Sequence, residues 1–298
     1  MITLSLLASL LLAAPAAPAC PPAGMTRAEV LKLKESKFEV PSAEDRNALA
    51  VRLLACIDDP DPAIRDGVVF EGLQTWLRAK ALTPATVLTL EASLRTTLAG
   101  DADAAGFRLP FAALVLSEVA RTDRIEPLFP DEVRAKLVEV AASSLTRVND
   151  YRGFDPVAGW RHGVAHGADL VLQLGLNPKV DAAGVGRLMQ AVSAQIAPRG
   201  PVFYSFGEPE RLARAVVFSY RRGVLDAAFW ETWFASISDP QPMASWGAAF
   251  QSVDGLARRH NALSFLHALS FAGRVGGDEA GKSVAALADK AATRIMGG

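Results

Sequence analysis

Apolar residues recur at intervals of three and four along most of the chain, the period of an α-helix rather than the alternation of a strand. VRLLACI (51–57) and VLTLEASLRTTL (87–98) show it plainly. Helix-boundary chemistry accompanies the pattern. Thr26-Arg27-Ala28-Glu29 fits a capping box, and Ser42-Ala43-Glu44-Asp45 fits it loosely with Asp in place of Glu. Thr83-Pro84 and Phe129-Pro130 place proline where a first helical turn tolerates it. The pattern predicts about twelve helices, near 26–36, 43–56, 61–80, 84–99, 109–121, 131–147, 159–175, 181–196, 208–222, 226–236, 245–271 and 277–295. No segment combines β-branched alternation with Asn-Gly or Asp-Gly turns, so no sheet is expected. The predicted class is all-α.

The stacking of these helices has one local pointer. DPDPAIRDGVVFEGL (59–73) resembles the second helix of a HEAT-type repeat, with an Asp-Pro turn followed by an aliphatic-Arg pair. Asp59 and Asp61 suit the helix start, and SDPQPMASWGAAF (238–250) is a weaker echo. Self-alignment at the roughly 40–47-residue period of such repeats is poor. The expected architecture is therefore an irregular α-solenoid, a HEAT-like α/α stack, with a globular orthogonal bundle as the alternative. No Pro/Gly/Ser-rich linker divides residues 20–298, which read as a single domain.

The first residues break the pattern. ITLSLLASLLLAA (2–14) is apolar but too short to span a bilayer. Small residues follow it and end in A-x-A at Ala19, the layout of a secretory signal peptide over residues 1–19. No Lys or Arg precedes the apolar run. Cleavage before Cys20 would export the chain to the periplasm or beyond, with no transmembrane segment in the mature form. Export changes the meaning of the two cysteines, Cys20 and Cys56. In an oxidising compartment they can form a disulfide that pins the new N-terminus. Lipidation of Cys20 is the rival, although Ala17-Pro18-Ala19 lacks the large aliphatic residue usual before a lipidated cysteine. Two unrelated thiols are the third reading.

Composition removes several functions. The chain has 298 residues, 50% of them hydrophobic, with 31 Lys plus Arg against 32 Asp plus Glu. This apolar content excludes disorder, and a net charge of −1 argues against nucleic-acid binding. Neither a G-x-S-x-G elbow nor a phosphate loop occurs. The doublets Arg221-Arg222 and Arg258-Arg259 read as solvated faces. Glu208-Pro209-Glu210 reads as a helix start favoured by the dipole. The His260, Ser264, His267 set reads as a core-facing stripe.

Unusual residues concentrate in NDYRGFDPVAGWRHGVAHGADL (149–170). On a helix from 159, His162, His166 and Asp169 are spaced i, i+4, i+7 and share one face. Two histidines and a carboxylate suit a divalent metal such as zinc, but the glutamate that an H-E-x-x-H protease uses as base is missing. A polar seam between helices or a small-ligand site explains the same triplet. Gly159, Gly163 and Gly167 form a second stripe, and each glycine inside a helix costs roughly 1 kcal/mol relative to Ala. Such a stripe lets a helix or ligand approach closely. Asp150, Arg152 and Asp155 flank Gly153, with Phe154 and Trp160 beside them.

The run D-Y-R-G-F…G-W-x-H-x-x-A-H-x-A-D-L resembles a bacterial family known as domain of unknown function 2785. I-R-D-G-x-x-F-x-x-L-x-x-W (64–76) and F-R-x-P-F-A-x-L (107–114) are similar to the same family's pattern. The resemblance implies a helical, repeat-like fold and no established activity. It groups Arg65, Asp66, Arg108, Asp150, Arg152, His162, His166 and Asp169 without assigning them roles. The expectation is an exported helical-repeat binding protein with a polar groove around these residues and Trp160, taking an unidentified protein or small molecule and no cofactor. The alternative is a metal-dependent hydrolase with His162, His166 and Asp169 as zinc ligands.

Overall fold

In the computed structural model, which describes residues 20–297, local capping chemistry sets most of the helix starts. Thr26 and Glu29 close a reciprocal capping box on α1 (Arg27–Glu35), and Ser42 caps α2 (Ala43–Arg52). Asp61 caps α3 (Pro62–Ile64), which runs through a π-helical turn (Arg65–Phe70) into α4 (Glu71–Arg78). Thr83 caps α5 (Pro84–Ala99) with Pro84 in its first turn. Then follow α6 (Arg108–Ile125), α7 (Asp131–Thr146), α8 (Gly163–Gly175), α9 (Ala182–Ile196) and α10 (Glu208–Arg221). The chain closes with α11 (Ala227–Ile237), α12 (Val253–Val275) and α13 (Glu279–Gly297). Among the described residues the protein is all-helical apart from one small two-stranded ribbon.

Four predicted boundaries are corrected. The helix expected over 43–56 ends at Arg52 and tightens into a 3₁₀ turn, Leu53–Cys56. The one expected over 61–80 carries the π turn, a distortion that enters helices often at functional sites. The helix expected over 245–271 is split, because Ser252 leaves the 3₁₀ segment Gly247–Gln251 in extended conformation and caps α12. The helix expected from 159 begins at Gly163. Ahead of it, where no sheet was expected, β1 (Phe154–Asp155) pairs antiparallel with β2 (Gly159–Trp160).

The helices pack in two rows. In one row α4, α6, α8, α10 and α12 each lie on the next; in the other α5, α7, α9, α11 and α13 do the same, with α2 beside α5. Between rows α5 packs on α6, α7 on α8, α9 on α10 and α12 on α13. Each hairpin alone would expose one apolar face, and the neighbouring hairpins cover it. One hydrophobic cluster consequently runs from Val30 to Ile295.

Cys20 and Cys56 are joined by a disulfide, which ties the segment before α1 to the buried turn after α2. The predicted signal peptide, residues 1–19, lies outside the described residues. Among the described residues no helix is long and apolar enough to cross a membrane.

Candidate functional site

The ribbon ahead of α8 is built by short-range polar chemistry. The Asp155 carboxylate accepts from the Val157 and Ala158 N–H groups at 2.8 and 2.7 Å, folding the turn locally. Gly159 sits at φ 74°, a left-handed conformation that glycine adopts without steric cost. A Cβ there would also lie 3.1 Å from the Arg65 Nη2 atom. His162 then takes φ 59° as the N-cap of α8, so the chain turns into the helix through a left-handed non-glycine residue. Strained backbone of this kind is held only where its surroundings over-determine it.

Arg65 supplies much of that determination. It is fully buried, donates to the Ala158 carbonyl at 2.8 Å and the Asp59 carbonyl at 3.0 Å, and pairs with Asp66 at 2.8 Å. Its guanidinium lies 3.9 Å from the Phe107 ring centre and 4.6 Å from that of Phe111. Burial lowers the Arg65 pKa and raises that of Asp66. A cation in the core thus fastens the ribbon to the start of the π turn.

In front of this anchor lies a cleft of about 680 Å³, walled by side chains from α4 and its π turn, α6, α8, the ribbon and the start of α10. Trp160 stacks on His162 with ring centres 4.7 Å apart and planes at 26°. Phe206 stands edge-on to Trp160 at 6.1 Å. His162 and His166 follow one another along the wall, their ring centres 5.6 Å apart, and Phe111 packs on His166 at 5.3 Å. Glu118 receives two hydrogen bonds from Arg78, at 2.9 and 2.5 Å, and one from Gln74 at 3.1 Å. Arg211 on α10 donates to Asp169 on α8.

Burial dominates the electrostatics. It lowers the His162 pKa to about 4 and the His166 pKa to about 3, reinforced by the charge of Arg211. Both imidazoles are therefore neutral at pH 7. Both residues are more than nine-tenths buried; the backbones of Phe206 and Pro110 approach the His162 and His166 rings and partly oppose the lowering, while His162 Nε2 and His166 Nδ1 make no hydrogen bond of good geometry. Burial also raises the Asp169 pKa, against the opposing pull of Arg211.

The predicted residues divide. Asp66, Trp160, His162, His166 and Asp169 line the cleft, and Arg65 lies behind it. Arg108 turns away to pair with Asp58 beside a separate cavity. Asp150 and Arg152 bond each other at 2.8 Å near Gly106, and Asp150 borders a third, mostly apolar cavity of about 400 Å³. Burial disfavours the Asp150 carboxylate, but hydrogen bonds from Arg152 outweigh it and hold its pKa below the ordinary range. The glycine stripe divides too. Gly167 allows Leu145 of α7 to approach, since a Cβ would lie 3.0 Å from Leu145 Cδ1, whereas Gly159 belongs to the ribbon. Arg78, Glu118, Arg211 and Arg214, which also line the cleft, escape sequence reasoning. Arg78 and Glu118 lie 40 residues apart and Asp169 and Arg211 42, and neither pair carries a motif.

The Asp169 carboxylate is engaged by Arg211 in this structure. Among the described residues no group of three or more His, Cys, Asp or Glu side chains is placed to hold a metal ion.

No curated protein and no solved structure matches the chain. A family model does, described as "Protein of unknown function (DUF2785)", over residues 94–271. That span runs from the end of α5 through α11 into α12 and includes the cleft residues from α6, the ribbon, α8 and α10, more than half of the sequence. The chain belongs to the DUF2785 family.

Proposed function

We propose that the protein is an exported, HEAT-like α-solenoid that binds a polar ligand in the cleft beneath Trp160. The carrying observation is the convergence of polar side chains from four neighbouring elements of one helical row, with an aromatic pair at the opening. The cleft is concave, as small-molecule sites are, and more polar than most, since charged and amide side chains outnumber the apolar ones in its wall. Two-row packing supports the solenoid reading. Hairpins beginning at Pro84, Asp131, Ala182 and Ala227 recur at an interval near the roughly 40–47 residues of two-helix repeats. The disulfide supports export, since such bonds persist in oxidising compartments. On that reading the mature chain begins at Cys20.

The binding reading is tested by filling the cleft. Leu114 lines it from α6 and is half-buried, so Leu114→Trp places bulk there. Polar small molecules that give saturation-transfer NMR signals with the wild-type protein should lose them with the variant, at unchanged helicity. Signals of equal strength with both proteins would refute the reading. The two unpartnered imidazole nitrogens also suit the metal-dependent hydrolase alternative, which requires Asp169 to leave Arg211. Stoichiometric zinc in the purified protein, lost in His162→Ala, would establish that alternative.

A further inference from the structure

Three features of the cleft narrow the chemistry of its occupant. The first is an aromatic platform. Trp160 is 37% exposed, while the other four tryptophans are each 5% exposed or less. It is held flat rather than free, with His162 stacked behind it and Phe154 and Phe206 packed around it. A rigid, open indole face offers apolar contact at little cost in side-chain entropy.

The second is charge balance. Arg65 is paired with Asp66, Arg78 with Glu118 and Arg211 with Asp169. Glu210 and Arg214, one helical turn apart on α10, add one further charge of each sign at the border. A charged ligand would find no net opposite charge here. The third is the mixture of donors and acceptors. The arginines only donate and the carboxylates only accept, while a neutral imidazole with one nitrogen protonated accepts at the other. His162 Nε2 and His166 Nδ1 are unpartnered but enclosed, on residues more than nine-tenths buried, which leaves the opposite nitrogen of each ring as the one that can face a ligand.

A ligand that uses all three features needs an apolar face, no charge, and a perimeter of groups that both donate and accept. A pyranose has a C–H face and a rim of hydroxyls, each able to donate and accept. We propose that the cleft binds a short neutral oligosaccharide, with one sugar ring stacked on Trp160 and its hydroxyls bonded to His162, His166 and the Arg78–Glu118 and Arg211–Asp169 pairs. This rests on the binding reading above, and names the ligand class for the same site.

Exposure makes Trp160 its own reporter, because acrylamide should quench it in preference to the buried tryptophans. The probes are maltotriose, cellotriose, mannotriose and tri-N-acetylchitotriose, set against inorganic phosphate, citrate and choline. At least one trisaccharide should shield Trp160 from acrylamide, with an affinity that changes less than about twofold between 50 and 500 mM salt, as a neutral ligand requires. By calorimetry the same sugar should bind Trp160→Ala about tenfold more weakly or worse. Trp160→Phe, which keeps a flat ring, should retain part of the affinity and covers the case in which Trp160→Ala does not fold. Shielding by phosphate, citrate or choline but by no sugar would overturn the oligosaccharide proposal and leave the binding reading standing. Shielding by none of the probes would also overturn it, while the Leu114→Trp comparison decides the binding reading independently. A trisaccharide that shields Trp160 yet binds both Trp160 variants as tightly as the wild type would remove the stacking that the proposal depends on.

Discussion

The two cleft histidines join site chemistry to stability. Each is neutral in the folded protein because burial lowers its pKa, to about 4 for His162 and about 3 for His166, whereas an unfolded histidine titrates near 6.5. Between pH 6.5 and 4 the unfolded chain therefore binds more protons than the folded one, and stability falls as pH falls. Asp66 and Asp169 act in the opposite sense: their raised pKa values keep protons in the fold that the unfolded chain releases, which offsets part of the loss. Stability should therefore fall between pH 7 and 4.5, with each histidine contributing about 2 kcal/mol of loss before that offset. Urea midpoints measured at both values would show it, and His166→Leu should flatten the dependence. An unchanged slope in that variant would mean that His166 is solvated. Sequence spacing was informative here, since it placed His162, His166 and Asp169 together on one side. It could not show that Asp169 faces Arg211, because that partner arrives from α10 through packing alone.

At the scale of elements, the segment from Phe154 to His162 departs most from its sequence pattern. Apolar spacing there continues the helix of α8 backwards, but Asp155, Gly159 and the left-handed His162 turn it into a ribbon. What holds the ribbon in place is distant in sequence, the Arg65 guanidinium bonded to the Ala158 carbonyl. Arg65→Ala strands the Asp66 carboxylate and opens a cavity between Phe107 and Phe111. Breaking a fully buried pair from one side costs about 3–5 kcal/mol, and with the Asp66 side chain 32% exposed the low end of that range applies. The variant should lose stability in that range, and acrylamide should quench Trp160 more strongly as the ribbon loosens. A stable variant with wild-type quenching would show that the ribbon holds itself. Because the ribbon carries the aromatic platform, Arg65 is a positioning residue that acts on the cleft from behind.

Across the whole molecule, the rows share one core while the N-terminal segment depends on a covalent tie. Cys20 precedes α1 and Cys56 is buried, and the bridge closes a 36-residue separation. In the chain-entropy model such a loop is worth roughly 3–4 kcal/mol. Reduction should lower the unfolding free energy by about that amount, and peptide mapping without reductant should recover one bridged pair and no free thiol. Acylated Cys20 in the mapped peptides would replace the bridge by the lipid-anchor reading. No residue lining the cleft belongs to the segment before α1 or to the turn at Cys56, so reduction should leave Trp160 quenching unchanged.

The sequence by itself determined the helical class, most helix starts and the segment that lines the cleft. Those features depend on interactions within a few residues: the 3.6-residue period, the capping side chains of Thr26, Ser42 and Thr83, and the clustering of His, Trp and Gly in 149–170. Only the tertiary structure decided which polar residues meet. It separated Arg108 and the Asp150–Arg152 pair from the cleft, and brought in Arg78, Glu118 and Arg211. The physical reason is that burial and charge pairing arise from packing successive hairpins side by side, so contacts between residues 40 or more positions apart leave no periodic trace in the chain.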